Sequence, residues 1–285
     1  MDLAVVIVNY KSREPLLACL RSLPAAAPEV ALEILVVDNS PGDGAAEAVS
    51  REFPGVTWIT SPENVGFARA VNRGIAATRA PFVTLLNPDC EVRPGAFAAL
   101  LAFHAARPDT GIAAPRILNS DGSLEFSARG YPGAAAFLFN RYSLLTRLFP
   151  GNPWSRRYLL TDWDHATTRD VDWVSGACMC VRRAAIAAVG PMDEGYFMFN
   201  EDVDWCRRMN QSGWPVRYVP EAVVIHHIGA SKGHVASRVI LERHRGMLRY
   251  FRKHHPSNPV TEAAVGALVM TRAWLMLAGN ALRRR

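Results

Sequence analysis

Leu3 to Val8 is a near-continuous apolar run, and shorter apolar or β-branched runs follow at Glu33–Val37, Val56–Thr60, Phe82–Leu86 and Ile112–Pro115. Short apolar runs closed by turn residues predict strands buried on both faces of a largely parallel sheet. Between them the apolar spacing becomes helical, from about Glu14 to Ser22, from Ala45 to Phe53, from Asn64 to near Thr78, and from Ala96 to Ala106. Ser12 and Pro15 mark the first of these helices. Strands alternating with helices imply βαβ units with right-handed crossovers. Polar residues gather at 9–12, 38–44, 62–66 and 87–91, three of these clusters directly after strands and one before a helix. In such a sheet the turns converge on one edge, where ligands bind. The pattern predicts one site.

Beyond residue 115 the pattern changes. Asn119–Ser123 carries the Asp-Gly signature of a hairpin turn, and residues 128–168, rich in Gly, Pro, Tyr and Arg, predict a long irregular excursion over the site. Order returns at Val171–Arg182 and Gly195–Arg207, with a helix beginning near Glu201. Two short strands are expected at Val216–Tyr218 and Ala222–Ile225, the second ending in His226 and His227. A basic helix from about Val235 to Lys253 is then broken at His255–Pro259. A mostly apolar stretch, Val260–Leu282, follows with Glu262 and Arg272 inside it, and three arginines close the chain.

The 285 residues, 49% apolar and 20% charged, suit one large domain or one domain with an appendage, and exclude a disordered chain. The net charge of +6 is misleading. From Arg238 onward ten Lys or Arg stand against two acids, a balance of +8, so the preceding residues carry about −2. The main body is therefore no polyanion binder, and the tail lacks the interleaved aromatics of a nucleic-acid reader. A basic helix followed by an apolar stretch predicts attachment to an anionic membrane face. Glu262 and Arg272 favour lying in the interface over a simple span, and a hairpin packed on the body or on a second subunit is the alternative. Five cysteines form no even framework, which predicts a reduced compartment. Asp2 and the immediate strand leave no cleavable signal pattern. The expected location is cytoplasmic, peripheral on the inner face of the cytoplasmic membrane.

Two corners carry chemistry. The strand ending at Leu86 runs into Asn87-Pro88-Asp89, where Pro88 biases Asn87 toward an extended conformation and fixes the Asp89 carboxylate at the strand's carboxyl end. An acid there can hold a divalent ion against a diphosphate. Glu201, Asp202 and Asp204 are three acids within four residues, and mutual repulsion raises carboxylate pKa values, which suits a general base. The bland alternatives are a solvated turn for the first corner and, for the second, a negative first turn favoured by the helix dipole, with Asp204 paired to Arg207 or Arg208.

VVIVNYKS, VVDNSPGDG, NVGFARAVNRG, LLNPD, WVSGA, FNEDVDWCRR and HHIGAS occur in an order that resembles family 2 glycosyltransferases, most of all their bacterial rhamnosyltransferase-like branch, which builds surface polysaccharides. The resemblance covers roughly residues 3–235. It implies the α/β GT-A fold, a Rossmann-like, mixed but mostly parallel sheet flanked by helices, here with a C-terminal helical tail. The expected division is a catalytic domain at 1–234, with a nucleotide-sugar half at about 1–115 and an acceptor half at about 116–234, then a tail at 235–285. The implied activity is inverting, metal-dependent transfer from a dTDP- or UDP-sugar, dTDP-rhamnose first among them, to a saccharide or lipid-linked saccharide.

The resemblance also implies roles. Asp38 would accept the imide N–H of uracil or thymine, with Asn9 and Tyr10 lining the same pocket; an Asx-turn with Gly42 is the structural alternative. Gly66 would let the backbone approach the diphosphate, with Asn64, Arg69 and Asn72 adding contacts and Asn87 close by. Asn64 as a helix cap and Arg69 as a solvated charge stay open. Asp89 is the surviving acid of the family's Asp-x-Asp motif, with Asn87 in place of the first acid. His226 is the second candidate ligand for Mg²⁺ or Mn²⁺, against a structural His at a strand end. Asp202 would be the catalytic base. Trp173, Ser175, Gly176 and Glu201 fall on the acceptor side, and Trp173 suits either a pyranose face or the core. A nucleotidyltransferase would want a Gly-rich, Arg- or Lys-bearing loop after the first strand, which Asn9–Ser12 is not. A catalytically idle binding protein of the same fold is the other rival, and the joint presence of Asp38, Asp89, Asp202 and His226 counts against it.

Overall fold

In the computed structural model, which describes residues 2–133, 148–149, 152–227 and 237–282, the first apolar run becomes β1 (Leu3–Asn9), buried along its whole length. Its side chains alternate between two cores, as a strand's period of two requires. Ala4, Val6 and Val8 enter one core, and Leu3, Val5 and Ile7 enter the other. Fully burying each larger aliphatic side chain stabilises by about 1.5–3 kcal/mol, so β1 is a central strand by composition alone.

The chain continues as α1 (Arg13–Ala26), β2 (Leu32–Asp38), α2 (Ala45–Glu52), β3 (Thr57–Thr60), α3 (Phe67–Ala76), β4 (Phe82–Leu86), β5 (Cys90–Val92) and α4 (Ala96–Ala106). Next come β6 (Ile112–Asn119), β7 (Ala128–Arg129), α5 (Pro153–Leu159), β8 (Arg169–Asp170), β9 (Trp173–Val174), β10 (Cys178–Arg182), α6 (Arg183–Val189), α7 (Glu201–Gln211) and β11 (Val216–His226). The main sheet runs β3-β2-β1-β4-β10-β6-β11-β5, with β8 also paired to β11, while β7 and β9 form a separate ribbon. β1, β2, β3 and β4 are parallel, as are β6 and β11. This is the expected α/β architecture, mixed and flanked by helices.

Three local expectations change. β10 lies antiparallel between β4 and β6, a non-local pairing that apolar patterning cannot reveal. The two short strands expected at 216–225 are one strand, β11, irregular between Val219 and Val223. Pro220 falls in that gap and has no N–H to donate to a ladder. Helix α1 continues past Ser22 through Pro24. Of the 128–168 excursion, β7 and α5 are described; 134–147 and 150–151 lie outside the described residues, as do Gly229, Ser231 and the terminal arginines.

The tail forms two helices, α8 (Ser237–His254) and α9 (Pro259–Leu282). Helix α8 joins the body, with Tyr250 in the same core as Tyr196 and Trp205. Arg249 and Lys253 bond Asp193 at 2.7 and 2.8 Å, and His254 bonds the fully buried Asp204 at 2.7 Å. Helix α9 rests on α8 through Val265 and Val269, against Met247, Leu248 and Phe251. Both ionisable residues of α9 face α8. Glu262 pairs with Arg252 at 2.6 Å, and Arg272 is partly buried beside Arg243 and His244. The exposed positions of α9 carry no charge, and Val260, Leu268, Trp274 and Leu275 are among them.

Candidate active site

The polar clusters at the sheet's carboxyl edge do converge. Asn9, at the end of β1, donates from Nδ2 to Asp38 Oδ1 at 3.0 Å, and the backbone N–H of Ser40 donates to the same oxygen at 3.0 Å. The neighbouring strand ends are locked by Asn39 N–H to Asn9 O and Ser61 N–H to Asp38 O, each 2.8 Å. Asp38 is buried and Tyr10 stands exposed beside it in sequence. The Asx-turn is therefore real, but it runs to Ser40 rather than Gly42, and it holds the carboxylate at the strand end.

Gly66 needs to be glycine. Its φ is +88°, and a Cβ there would lie 2.5 Å from Phe197 O. The group that approaches so closely is protein, the backbone and ring of Phe197. Gly66 N–H is donated to Asn64 Oδ1 at 3.0 Å and Phe67 N–H to Phe197 O at 2.7 Å, so these two donors at the start of α3 are already used. Asn64 acts as the turn-former at that helix start. Arg69 pairs with Glu194 at 3.0 Å, and Asn72 bonds Met192 O at 2.9 Å and Glu194 at 3.1 Å. Arg69 and Asn72 tie α3 to the loop before α7.

At the end of β4, Asn87 N–H donates to Ala177 O at 2.9 Å. Asp89 Oδ1 lies 3.2 Å from His226 Nε2, and the other ring nitrogen, Nδ1, lies 2.9 Å from Glu125 Oε2. Burial works against a charge on His226, yet the two carboxylates outweigh it and raise its pKa to about 9. Cys90 is the third potential ligand within reach. Burial pushes its thiol well above the ordinary value, so it stays neutral and unsuited to a hard cation. The remaining donors, one carboxylate oxygen and one imidazole nitrogen, could hold a divalent cation. His227 turns away to Glu91 and Ser120, at 3.3 and 2.9 Å.

The second acidic corner opens α7. Asp202 Oδ2 accepts from Gly176 N–H at 3.1 Å, and Oδ1 from Val203 N–H at 2.8 Å. Burial raises the pKa of Asp202 against these hydrogen bonds, and burial together with the Asp202 charge raises that of the buried Glu201. Glu201 Oε2 has no hydrogen-bond partner. Asp204 goes the other way. Burial would raise it, but Lys253, His254 and Arg208 hold it below the ordinary aspartate value. The three acids thus divide into a raised pair and an anchored structural member. Ser175-Gly176-Ala177 joins the two corners, since Ala177 O holds Asn87 and Gly176 N–H holds Asp202. Trp173 is core instead of an open platform, with its indole N–H on Gly130 O at 2.8 Å and Arg129 over the ring at 5.0 Å.

Sequence reasoning missed Glu125, which stands outside every motif, and the turn before α7. Phe199 and Asn200 both have positive φ, +69° and +68°, uncommon for residues with side chains. Helix α8 reinforces that turn. Arg238, Arg243 and Arg249 lie over Phe197, Phe199 and Tyr196 at 4.3, 4.4 and 5.3 Å. A Cβ on Gly246 would meet Phe199 O at 2.7 Å.

This fold and these corners define a nucleotide-sugar-dependent glycosyltransferase. The family model described as Glycosyltransferase like family 2 matches residues 2–247, and the chain belongs to that family, in its rhamnosyltransferase-like branch. It is 32% identical over 297 residues to the N-acetylglucosaminyl-diphospho-decaprenol L-rhamnosyltransferase of Mycobacterium tuberculosis, covering 99% of this chain and 95% of the relative. It is 28% identical over 230 residues to the low-salt glycan biosynthesis hexosyltransferase Agl10 of Haloferax volcanii, covering 79% and 67%. Among solved structures, the Pyrobaculum calidifontis mannosyltransferase in complex with GDP-Man and Mn²⁺ has a TM-score of 0.60 at 16% identity, covering 99% of this chain and 75% of that one. GalNAc-T7 with UDP, GalNAc and Mn²⁺ has a TM-score of 0.61 at 18% identity, covering 87% of this chain and 47% of that one. These two likenesses show the GT-A fold.

Proposed function

We propose that the protein is an inverting, metal-dependent rhamnosyltransferase that moves L-rhamnose from dTDP-rhamnose to a hydroxyl of N-acetylglucosamine on a lipid diphosphate. The observation that carries this reading is the link through Ser175–Ala177 between an Asp–His pair at one corner and a raised carboxylate at the other. The likeness to the mycobacterial relative supports the donor and acceptor.

In this reading Asp38, positioned by Asn9, accepts from the pyrimidine imide, and Tyr10 and Asn87 flank the nucleotide. Asp89 and His226 would hold Mg²⁺ or Mn²⁺, which would supply positive charge to neutralise the diphosphate. Asp202 takes the proton of the acceptor hydroxyl as its oxygen attacks the anomeric carbon from the face opposite the diphosphate. Its raised pKa makes it a stronger base than an ordinary aspartate. Glu201, Ser175 and Gly176 shape the acceptor side, with Trp173 supporting them from beneath.

In this reading the catalytic domain has halves at about 1–115 and 116–234 and takes in α8, leaving α9 as its tail. The uncharged outer side of α9, beside the exposed Arg245 and Arg252, suits the interface of an anionic membrane. In this reading the enzyme sits on the cytoplasmic face, where a lipid-linked acceptor would be met.

The test is turnover. The purified chain is given dTDP- and UDP-sugars, a short-chain lipid-diphosphate N-acetylglucosamine, and Mn²⁺, Mg²⁺ or chelator. Release of dTDP from dTDP-rhamnose, lost in chelator and in Asp89→Ala, with an inverted anomeric centre by NMR, is the expected result. Undiminished turnover in chelator, or preference for another donor, overturns the corresponding part.

A further inference from the structure

Glu125 lies outside every motif and directly beyond the Asn119–Ser123 turn, yet its carboxylate is 7% exposed and aimed at a ring nitrogen. Backbone bonds hold it there. Glu125 N–H donates to Ile117 O at 2.9 Å and Ser127 N–H to Glu125 O at 2.7 Å. The turn itself is closed by Asp121, which accepts from Ser123 N–H at 2.9 Å. The ring it meets is equally fixed. His226 ends β11 between two neighbours, paired with Cys90 of β5 and Asn119 of β6.

We infer that Glu125 is a positioning residue for the metal ligand His226: by accepting from Nδ1–H it fixes the ring orientation and, when a cation takes the place of the Nε2 proton, the tautomer that presents the Nε2 lone pair to the metal site beside Asp89. The inference rests on the metal reading above and adds a residue to it. An imidazole has two nitrogens, and the one that coordinates is decided by the hydrogen bond the other makes. Here the nitrogen on Glu125 is 2.9 Å from a buried carboxylate, and the one facing Asp89 is 3.2 Å from the other acid of the cluster. This ring has an acid at each end, and only the Asp89 end opens toward solvent, with 27% of that side chain exposed against 7% for Glu125. The chain has Asn87 where a second acid would add charge, so the basicity that a carboxylate lends to His226 matters more.

The experiment titrates Mn²⁺ into the full chain with uridine diphosphate present and counts free Mn²⁺ by electron paramagnetic resonance. It compares wild type, Glu125→Gln and Glu125→Ala, with thermal melting as the fold control. Loss of such an outer partner weakens metal affinity by about 10- to 100-fold. Glu125→Ala is expected near the upper end and Glu125→Gln, which keeps an acceptor for Nδ1–H, near the lower. Long-range ¹H–¹⁵N spectra of the histidine rings in the metal-free protein at alkaline pH, where the His226 ring carries one proton, should show that proton on Nδ1 in wild type and in Glu125→Gln, and a mixture in Glu125→Ala. Equal Mn²⁺ affinity in all three proteins, or an unchanged tautomer in Glu125→Ala, overturns the inference and leaves the metal reading standing. No Mn²⁺ binding by wild type itself overturns the metal reading, and the inference with it. Should Glu125→Ala melt early, the near-isosteric Glu125→Gln carries the comparison.

Discussion

The two acidic corners are built by different means. The Asp89 corner is made by the sheet itself: β4 stops, Pro88 turns the chain, and the ends of β5, β6 and β11 bring His226 alongside. The Asp202 corner is made by docking. Its turn holds two non-glycine residues at positive φ, and helices packed from outside brace it. Helix α3 bonds the loop before it, and helix α8 adds three arginines over three aromatic rings, a glycine pressed on Phe199 O, and a cluster of charges around Asp193 and Asp204. One corner is a product of topology. The other depends on a helix that sequence patterning assigns to a tail.

If that contrast is right, chemistry and architecture separate cleanly at the second corner. Asp202→Asn keeps the shape of the side chain and removes the base, so kcat should fall by about 10²- to 10⁴-fold. Metal and nucleotide binding should hold; steady-state kinetics with a parallel Mn²⁺ titration checks both. Gly246→Val tests the docking. A side chain at 2.7 Å from Phe199 O must displace either helix or turn, at a cost of about 1–3 kcal/mol. Melting should drop by several degrees and kcat should fall, while Mn²⁺ affinity at the Asp89 corner stays within twofold.

Acid sharpens the comparison further. Asp193 and Asp204 are held below the ordinary aspartate value of 3.8 because Arg249, Lys253, His254 and Arg208 outweigh the burial that would raise them. A depressed folded-state pKa stabilises above the unfolded value and loses that stabilisation as pH falls through the folded one. The docking of α8 should therefore weaken below about pH 4, and in Asp193→Asn the acid dependence should flatten. Chemical denaturation across pH 2–6 measures it. The smallest effect belongs to α9. Leu268→Glu should cut sedimentation with phosphatidylglycerol vesicles and leave turnover on a water-soluble acceptor unchanged. Loss of soluble turnover would mean that α9 supports the site.

The same contrast explains what could be read in advance. Strands β1 to β4 and the helices between them were legible because each depends on its own apolar period, and Asn9, Asp38, Asp89 and His226 follow from where strands end. Pairing across long separations leaves no such mark. Nothing local in Cys178–Arg182 says that it runs antiparallel between β4 and β6. Gly66 was legible as a close-approach glycine, but its partner, Phe197 O, was not, and so the expected occupant was phosphate. Glu125 sits after a turn with no periodicity to single it out. The basic character of α8 was visible as charge, whereas the aromatic partners of those charges lie in another segment. Glu262 and Arg272 were legible as obstacles to a membrane span; that both turn toward α8 required the hairpin.

The bond from Phe67 N–H to Phe197 O has a kinetic consequence. It joins the start of α3 to the loop that leads into Asp202, at 2.7 Å. Under the proposed function, a donor that shifts α3 on binding would carry that loop with it and set the base afterwards, so the expected kinetics are of compulsory order. Initial-velocity patterns should intersect, and dTDP should compete with the donor but not with the acceptor.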